Sequence, residues 1–323
     1  METTYFNARS KSKEAKLLSF ANLEKLAKSN SLEEVTKNLL DLKLLKGEQI
    51  EHFADLDKIA KREEKEFLEF LKHESVHKDI TRFFLLKYDY YNLEVLYFYI
   101  NLKLPELPML FEGNVKISTL KKCLETQKYE GISVHMQNLL SFLDKSEDKS
   151  FFFIDNAFKK ALHSESLALS KISKNLFELQ NYLSDLKNIE LALRLRDEKT
   201  FQIVKLEGGK LEDEFFKKLC TNDLGVILSD TRYSIYKEVI AMIIDAMREN
   251  KPFQKFDFLI DCFPITYFDE KKYSLESFSP YLRYCYLAIT QIKNLKIIFD
   301  GIIINQNKKK ICSNFWMLTV CLR

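Results

Sequence analysis

The chain has 323 residues, with 50 lysines and arginines against 47 aspartates and glutamates, a net charge of +3. Only 7 residues are glycine and 5 are proline, where an average soluble protein carries about 12% of the two together. That shortage excludes Gly-rich phosphate loops and many-turned β-sandwiches, disfavours a nucleotide-binding α/β enzyme, and predicts a mostly helical protein. The near-neutral balance argues against a dedicated nucleic-acid binder, and a hydrophobic content of 46% suits a packed globule of two or three domains.

Along the chain, residues 1–16 are polar and charged, unlike a signal peptide. Residues 59–71 place Phe67, Phe70 and Leu71 on one face of a predicted helix, with charges opposite. His73-Glu74-Ser75-Val76-His77 then fits H-E-x-x-H. On one helix that spacing puts two imidazoles on one face beside a carboxylate, the geometry of a zinc hydrolase. No third ligand is evident downstream, and Lys72 and Lys78 read as a solvated flank. Two exposed histidines near a helix end are the plainer expectation.

The punctuation Leu104-Pro105-Glu106-Leu107-Pro108 and Glu112-Gly113-Asn114 follows. Residues 172–196 lack Gly and Pro and place Leu176, Leu179, Tyr182, Leu183, Leu186, Ile189 and Leu193 at three- and four-residue steps. Gly208-Gly209-Lys210 lacks the spaced first glycine and the hydroxyl residue of a phosphate loop, and reads as a linker. The acidic residues Glu212, Asp213 and Glu214 behind it suit the start of a helix. No run of 18 apolar residues occurs, so no transmembrane helix is predicted. Cys123, Cys220, Cys262, Cys285, Cys312 and Cys321 form no C-x-x-C and read as reduced thiols.

One pattern occurs three times. Asp89-x-x-Asn92, Asp185-x-x-Asn188 and Gln291-x-x-Asn294 are each followed by an aliphatic residue, a charge and three apolar residues. An aliphatic–Asp pair precedes each, at Asp57, Asp155 and Asp261, with 35, 33 and 33 residues from Asp to Asn. Two landmarks at one internal distance predict three helical repeats, over residues 1–113, 114–207 and 208–323. The asparagines read as satisfied polar groups at helix crossings that fix register. The three aspartates read as caps or interhelical acceptors. The Gly and Pro seams read as hinges.

Tyr5-Phe6-Asn7-Ala8-Arg9 with Leu17-Leu18, the element from Asp89 to Leu93, Asn188-Ile189 with Arg194 and Arg196 behind it, and Gly208-Gly209-x-Leu211 together resemble the C subunit of bacterial and archaeal V/A-type ATPases, related to the vacuolar ATPase d subunit. The resemblance runs over residues 5–303. It implies an all-α fold of three similar subdomains arranged as a funnel with pseudo-threefold symmetry. It implies a non-catalytic rotor coupling without a cofactor, peripheral at the cytoplasmic face of the membrane. Its partners would be the central shaft (D/F-type subunits) of the soluble ATPase head and the membrane rotor ring of c/K-type subunits. Arg9, Arg194 and Arg196 are candidate partner contacts by motif position. The sequence departs from the family after residue 304, where a basic stretch and about a dozen largely apolar residues close the chain. That tail reads as an altered terminus without a role, with an anionic membrane surface as the alternative. A helical scaffold unrelated to rotary ATPases and a zinc hydrolase using His73, Glu74 and His77 are the rival readings.

Overall fold

The computed structural model describes residues 2–102, 106–221, 254–273 and 277–306, together with Tyr236, Ile240, Ala241, Asp245, Lys308 and Ile311. Leu104-Pro105 at the first seam and the apolar tail from Cys312 lie outside them. Among the described residues every regular element is a helix. In chain order these are α1 (Glu2–Glu14), α2 (Phe20–Ala27), α3 (Leu32–Asp41), α4 (Leu56–His73), α5 (Lys78–Leu102), α6 (Ile117–Thr126), α7 (Val134–Lys145), α8 (Phe151–Ser170), α9 (Lys174–Leu195), α10 (Glu198–Val204), α11 (Asp213–Cys220), α12 (Gln254–Asp269) and α13 (Ser279–Ile303).

Local chemistry sets many of these boundaries. Ser19, Ser31, Ser133 and Ser150 each accept a hydrogen bond from the backbone three residues on, at the starts of α2, α3, α7 and α8. Asp197 does the same for α10. Each satisfies a backbone N–H that the helix itself cannot. Pro280 stands in the first turn of α13, where its missing N–H costs nothing.

The helices recur in a fixed succession. A short pair is followed by a longer helix carrying the aliphatic–Asp landmark, then by a long helix carrying the Asn landmark. The first run is α2, α3, α4, α5 and the second is α6, α7, α8, α9. The third opens with α11 and closes with α12 and α13. The predicted stripes are the buried faces. α4 buries Leu56, Ile59, Phe67, Phe70 and Leu71, and α9 buries Leu176, Leu179, Leu186, Ile189 and Leu193.

The chain forms two compact units, one of Met1–Val76 with Asn250–Arg323, the other of His77–Glu249. In the first unit α13 packs against α1, α2, α4 and α12. Leu23 and Leu26 of α2, Leu39 of α3, Ile59 of α4, Ile265 of α12 and Phe299 of α13 share its core. Phe70 of α4 meets the rings of Tyr281 and Tyr284 at 5.5 and 4.9 Å. In the second unit α5 packs on α6 and α8, and α9 on α8, α10 and α11. Leu93, Leu120, Leu140 and Phe158 lie in the core around α5. Each such side chain contributes about 1.5–3 kcal/mol on burial. Every long helix thus lies on the opening helix of the following run: α5 on α6, α9 on α11, and α13 on α2 at the chain's beginning.

Candidate functional site

The first repeated element lies mid-way along α5 and faces inward, with Asp89 and Asn92 fully buried. Asn92 exchanges two hydrogen bonds with the backbone of Phe111, donating from Nδ2 at 2.7 Å and accepting at Oδ1 at 2.9 Å. Asp89 accepts from the backbone N–H of Val115 at 2.9 Å and from Asn114 Nδ2 at 2.7 Å. The extended segment between the repeats is therefore strapped to the helix by two side chains one turn apart. Gly113 stands where the strap crosses Asp89. A Cβ there would lie 2.1 Å from Asp89 Oδ1.

The second element builds the same clamp on α9. Asn188 donates to the Leu206 carbonyl at 3.0 Å and accepts from its N–H at 2.8 Å. Asp185 accepts from the N–H groups of Lys210 and Leu211 at 2.8 and 3.2 Å, and from the Tyr236 hydroxyl at 2.6 Å. Gly209 sits 24 residues after Asp185, as Gly113 sits 24 after Asp89. Its added Cβ would lie 2.2 Å from Asp185 Oδ1. Gly208 and Gly209 also hold positive φ of 80° and 94°, which favours glycine. Asn181 Oδ1 accepts from Gly209 N at 3.0 Å, and His163 Nε2 donates to the Glu207 carbonyl at 2.8 Å. Burial pushes the His163 imidazole down and the Asp89 and Asp185 carboxyls up. The seam glycines are places of close packing, where the sequence alone suggests hinges.

The third element, on α13, is half built. Gln291 Oε1 accepts from the Leu18 N–H at 2.6 Å, so the strap here is the start of the chain. Asn294 is buried, and its Nδ2 finds no partner among the described residues. The direction of the strap along its helix also differs. In the first two clamps the strap runs against its helix, meeting Asn92 and then Asp89, or Asn188 and then Asp185. The amino-terminal segment runs with α13: Asn7 meets the Ser277 carbonyl, Glu14 meets Arg283, and Leu18 meets Gln291. It meets Gln291 through Leu18, and among the described residues nothing bonds to the Asn294 Nδ2.

The remaining landmarks are dispersed. Asp57 and Asp155 pair with Lys61 and Lys159 one turn on, both at 2.6 Å. Asp261 reaches from α12 to Lys293 of α13 at 2.8 Å. In α1, Asn7 is buried, Tyr5 and Ala8 are exposed, and Arg9 holds Glu74 at 2.7 and 3.3 Å. Arg194 is exposed and pairs with Glu190 at 2.5 Å. Arg196 ends α9 in the left-handed region, φ 53°, its Nε donating to the Leu193 carbonyl at 3.2 Å.

The H-E-x-x-H residues do not share a helix. α4 ends at His73, Glu74 caps it, and α5 begins at Lys78. Arg9 holds the Glu74 carboxyl below its usual range, and His77 Nδ1 accepts from the Asp79 N–H at 3.1 Å. The one-helix geometry that the zinc reading requires is not formed. Among the described residues no cluster of His, Cys, Asp or Glu could hold a metal ion.

Sequence reasoning missed two buried charges. Arg283, 6% exposed, lies at the junction of α1, α12 and α13, donating to Asp269 at 2.8 and 3.2 Å and to Glu14. Glu165 of α8 accepts from Tyr90 at 2.9 Å and Ser133 at 2.6 Å. The only sequence signal for Arg283 is a lone cation in the apolar opening of α13.

These features define a class: an all-helical repeat protein whose buried polar side chains bind its own inter-repeat backbone. The sequence model of the ATP synthase (C/AC39) subunit family matches residues 6–313, nearly the whole chain. The C subunit of an A-type ATP synthase from Methanocaldococcus jannaschii is 25% identical over an alignment of 344 positions, covering 96% of this chain and 85% of the archaeal one. The chain belongs to the ATP synthase (C/AC39) subunit family.

Proposed function

We propose that this chain is a non-catalytic central-stalk subunit of a V/A-type ATPase, a rotor part that couples the shaft of the soluble ATPase head to the ion-translocating membrane ring. The observation that carries this reading is the family match across residues 6–313, which takes in all three landmark elements. The similar archaeal protein is itself named as the C subunit of an A-type ATP synthase. A part that transmits torque needs stiff joints. The clamps at Asp89–Asn92 and Asp185–Asn188, which fasten the inter-repeat backbone by side-chain hydrogen bonds, support that role.

In this reading the repeats are three subdomains, over 1–113, 114–207 and 208–323, arranged around a cavity as a funnel with pseudo-threefold symmetry. The cavity receives the D/F-type shaft, and the opposite face meets the c/K-type ring at the cytoplasmic surface of the membrane. No described helix is long and apolar enough to cross a membrane, which fits peripheral attachment. Of the candidate contacts, Arg194 is exposed and stands behind the second element, with Glu190 one turn before it. Arg9 and Arg196 are committed to Glu74 and to the end of α9.

The test is recovery of a tagged chain from detergent-solubilised membranes of cells that express it. Recovery of both the ATPase head and the ring subunits supports the reading. Recovery of neither, from membranes that contain both, returns the chain to the class of helical scaffolds. Charge reversal at Arg194 (R194E) is expected to reduce that recovery without changing the helical circular dichroism.

A further inference from the structure

We infer that α1 is a releasable strap, seated against α13 and the end of α4 by polar bonds rather than by core burial. Among its described side chains only Asn7 and Ser10 are buried, and both are polar. Of its apolar residues, Tyr5 is 63% exposed, Ala8 is exposed and Phe6 is only half-buried. By contrast α2, of eight residues, buries Leu23, Leu26 and Ala27. A helix normally holds its place by an apolar face, and no described apolar side chain of α1 is fully buried.

Polar groups hold it instead. Asn7 donates to the Ser277 carbonyl at 3.0 Å, while its Oδ1 is buried without a partner among the described residues. Arg9 and Lys13 meet Glu74 at 2.7 and 3.7 Å. The ammonium groups of Lys11 and Lys13 lie over the rings of Tyr273 and Phe70 at 4.9 and 5.0 Å. Glu14 meets Arg283, and Leu18 closes the row on Gln291. Exposed pairs such as Arg9–Glu74 weaken as salt rises and the Debye length shortens, from about 10 Å at 0.1 M to about 3 Å at 1 M. The Arg283 pair is shielded from solvent but depends on both partners being present.

The position of this strap gives it consequence. The seams after α5 and α9 are fastened by aspartate and asparagine on backbone. The seam where α13 meets the start of the chain has a neutral Gln291 on the Leu18 N–H, and an Asn294 whose Nδ2 has no partner among the described residues. It is the seam of the three that opens most readily, and α1 is the part that lifts. This inference goes beyond the assembly reading and does not require it.

Amide hydrogen exchange on the full chain, read by mass spectrometry at about 0.1 M and about 1 M salt, tests it. The expected result is exchange in α1 at least about tenfold faster than in α5, α9 and α13, and faster still at high salt. Arg283→Met should raise α1 exchange further and leave α5 and α9 unchanged. If that variant fails to fold, Arg9→Gln combined with Glu14→Gln, which leaves α13 intact, takes its place with the same expectation. Exchange of α1 at the rate of α13, indifferent to salt and to both variants, would overturn the inference.

Discussion

At the scale of single residues, the two complete clamps and the incomplete one make opposite predictions from one residue type. Asn92→Ala or Asn188→Ala strips partners from both the N–H and the carbonyl of a strap residue. Each unsatisfied buried group costs about 1–3 kcal/mol, so Asn188→Ala, at the buried Leu206, should lower unfolding stability by about 2–4 kcal/mol, and Asn92→Ala, at the half-buried Phe111, by somewhat less. Asn294→Leu removes an amide whose Nδ2 lacks a partner among the described residues, and should be neutral or stabilising by about 1 kcal/mol. Denaturant titration of the three variants checks this, and equal losses at all three positions would contradict the half-built third clamp. Gly113 offers a second test, because its φ is not in the left-handed region and the cost of a side chain there is steric. Gly113→Ala should cost about 1–3 kcal/mol, and most of that cost should vanish when Asp89 is also replaced by Ala. A double-mutant cycle that shows simple additivity would mean that the close approach to Asp89 is not what excludes the methyl group.

At the scale of elements, burial within the second unit, with Asp155 of α8 close by, lifts the Glu94 carboxyl of α5 to about 6 from 4.5. A raised folded value means that the folded chain binds this proton more tightly than the unfolded chain. Stability from this group therefore increases as pH falls from about 6 towards 4.5, and above about 6 the ionised carboxylate is a net cost. The side chain is partly exposed, so screening holds that cost below about 1 kcal/mol. Glu94→Gln should accordingly be slightly more stable than the parent at about pH 7.5, with the advantage gone by about pH 4.5. Parallel stability curves for the two chains would show that the carboxyl is not perturbed in the fold.

Helical elements are where the sequence is most legible. The stripe in α9 and the Asp-x-x-Asn spacing are local patterns, and local patterns survive in one dimension. The partners of those residues do not. Val115 lies 26 residues beyond Asp89, and Gln291 holds Leu18 from 273 residues away. Nothing in the spacing tells that the third strap runs in the opposite direction to the other two. The same distance hides Arg283, whose carboxylate partners come from two other helices. Gly113 and Gly209 are visible as punctuation, but only the clamp geometry shows that they give room to a carboxylate rather than freedom to a hinge. The H-E-x-x-H spacing misleads for a related reason, since the motif supposes one continuous helix and α4 stops at its first histidine.

At the scale of the whole molecule, the family assignment and the repeated clamps support a stiff, internally repeated coupling part. In the proposed coupling role the clamps would matter at this scale, because slack linkers would absorb torque that fastened seams would pass on. If seam stiffness serves coupling, Asp185→Ala in a purified ATPase complex should reduce ATP-driven ion transport more than ATP hydrolysis, the mark of slippage. Equal loss of both activities would indicate disassembly instead. The central claim, that this chain stands between shaft and ring, is tested most directly by cross-linking mass spectrometry on the intact, detergent-purified complex. The coupling account predicts cross-links from this one chain to shaft subunits and to ring subunits in the same preparation. Cross-links confined to the outer, stationary parts of the complex, with none to shaft or ring, would contradict it.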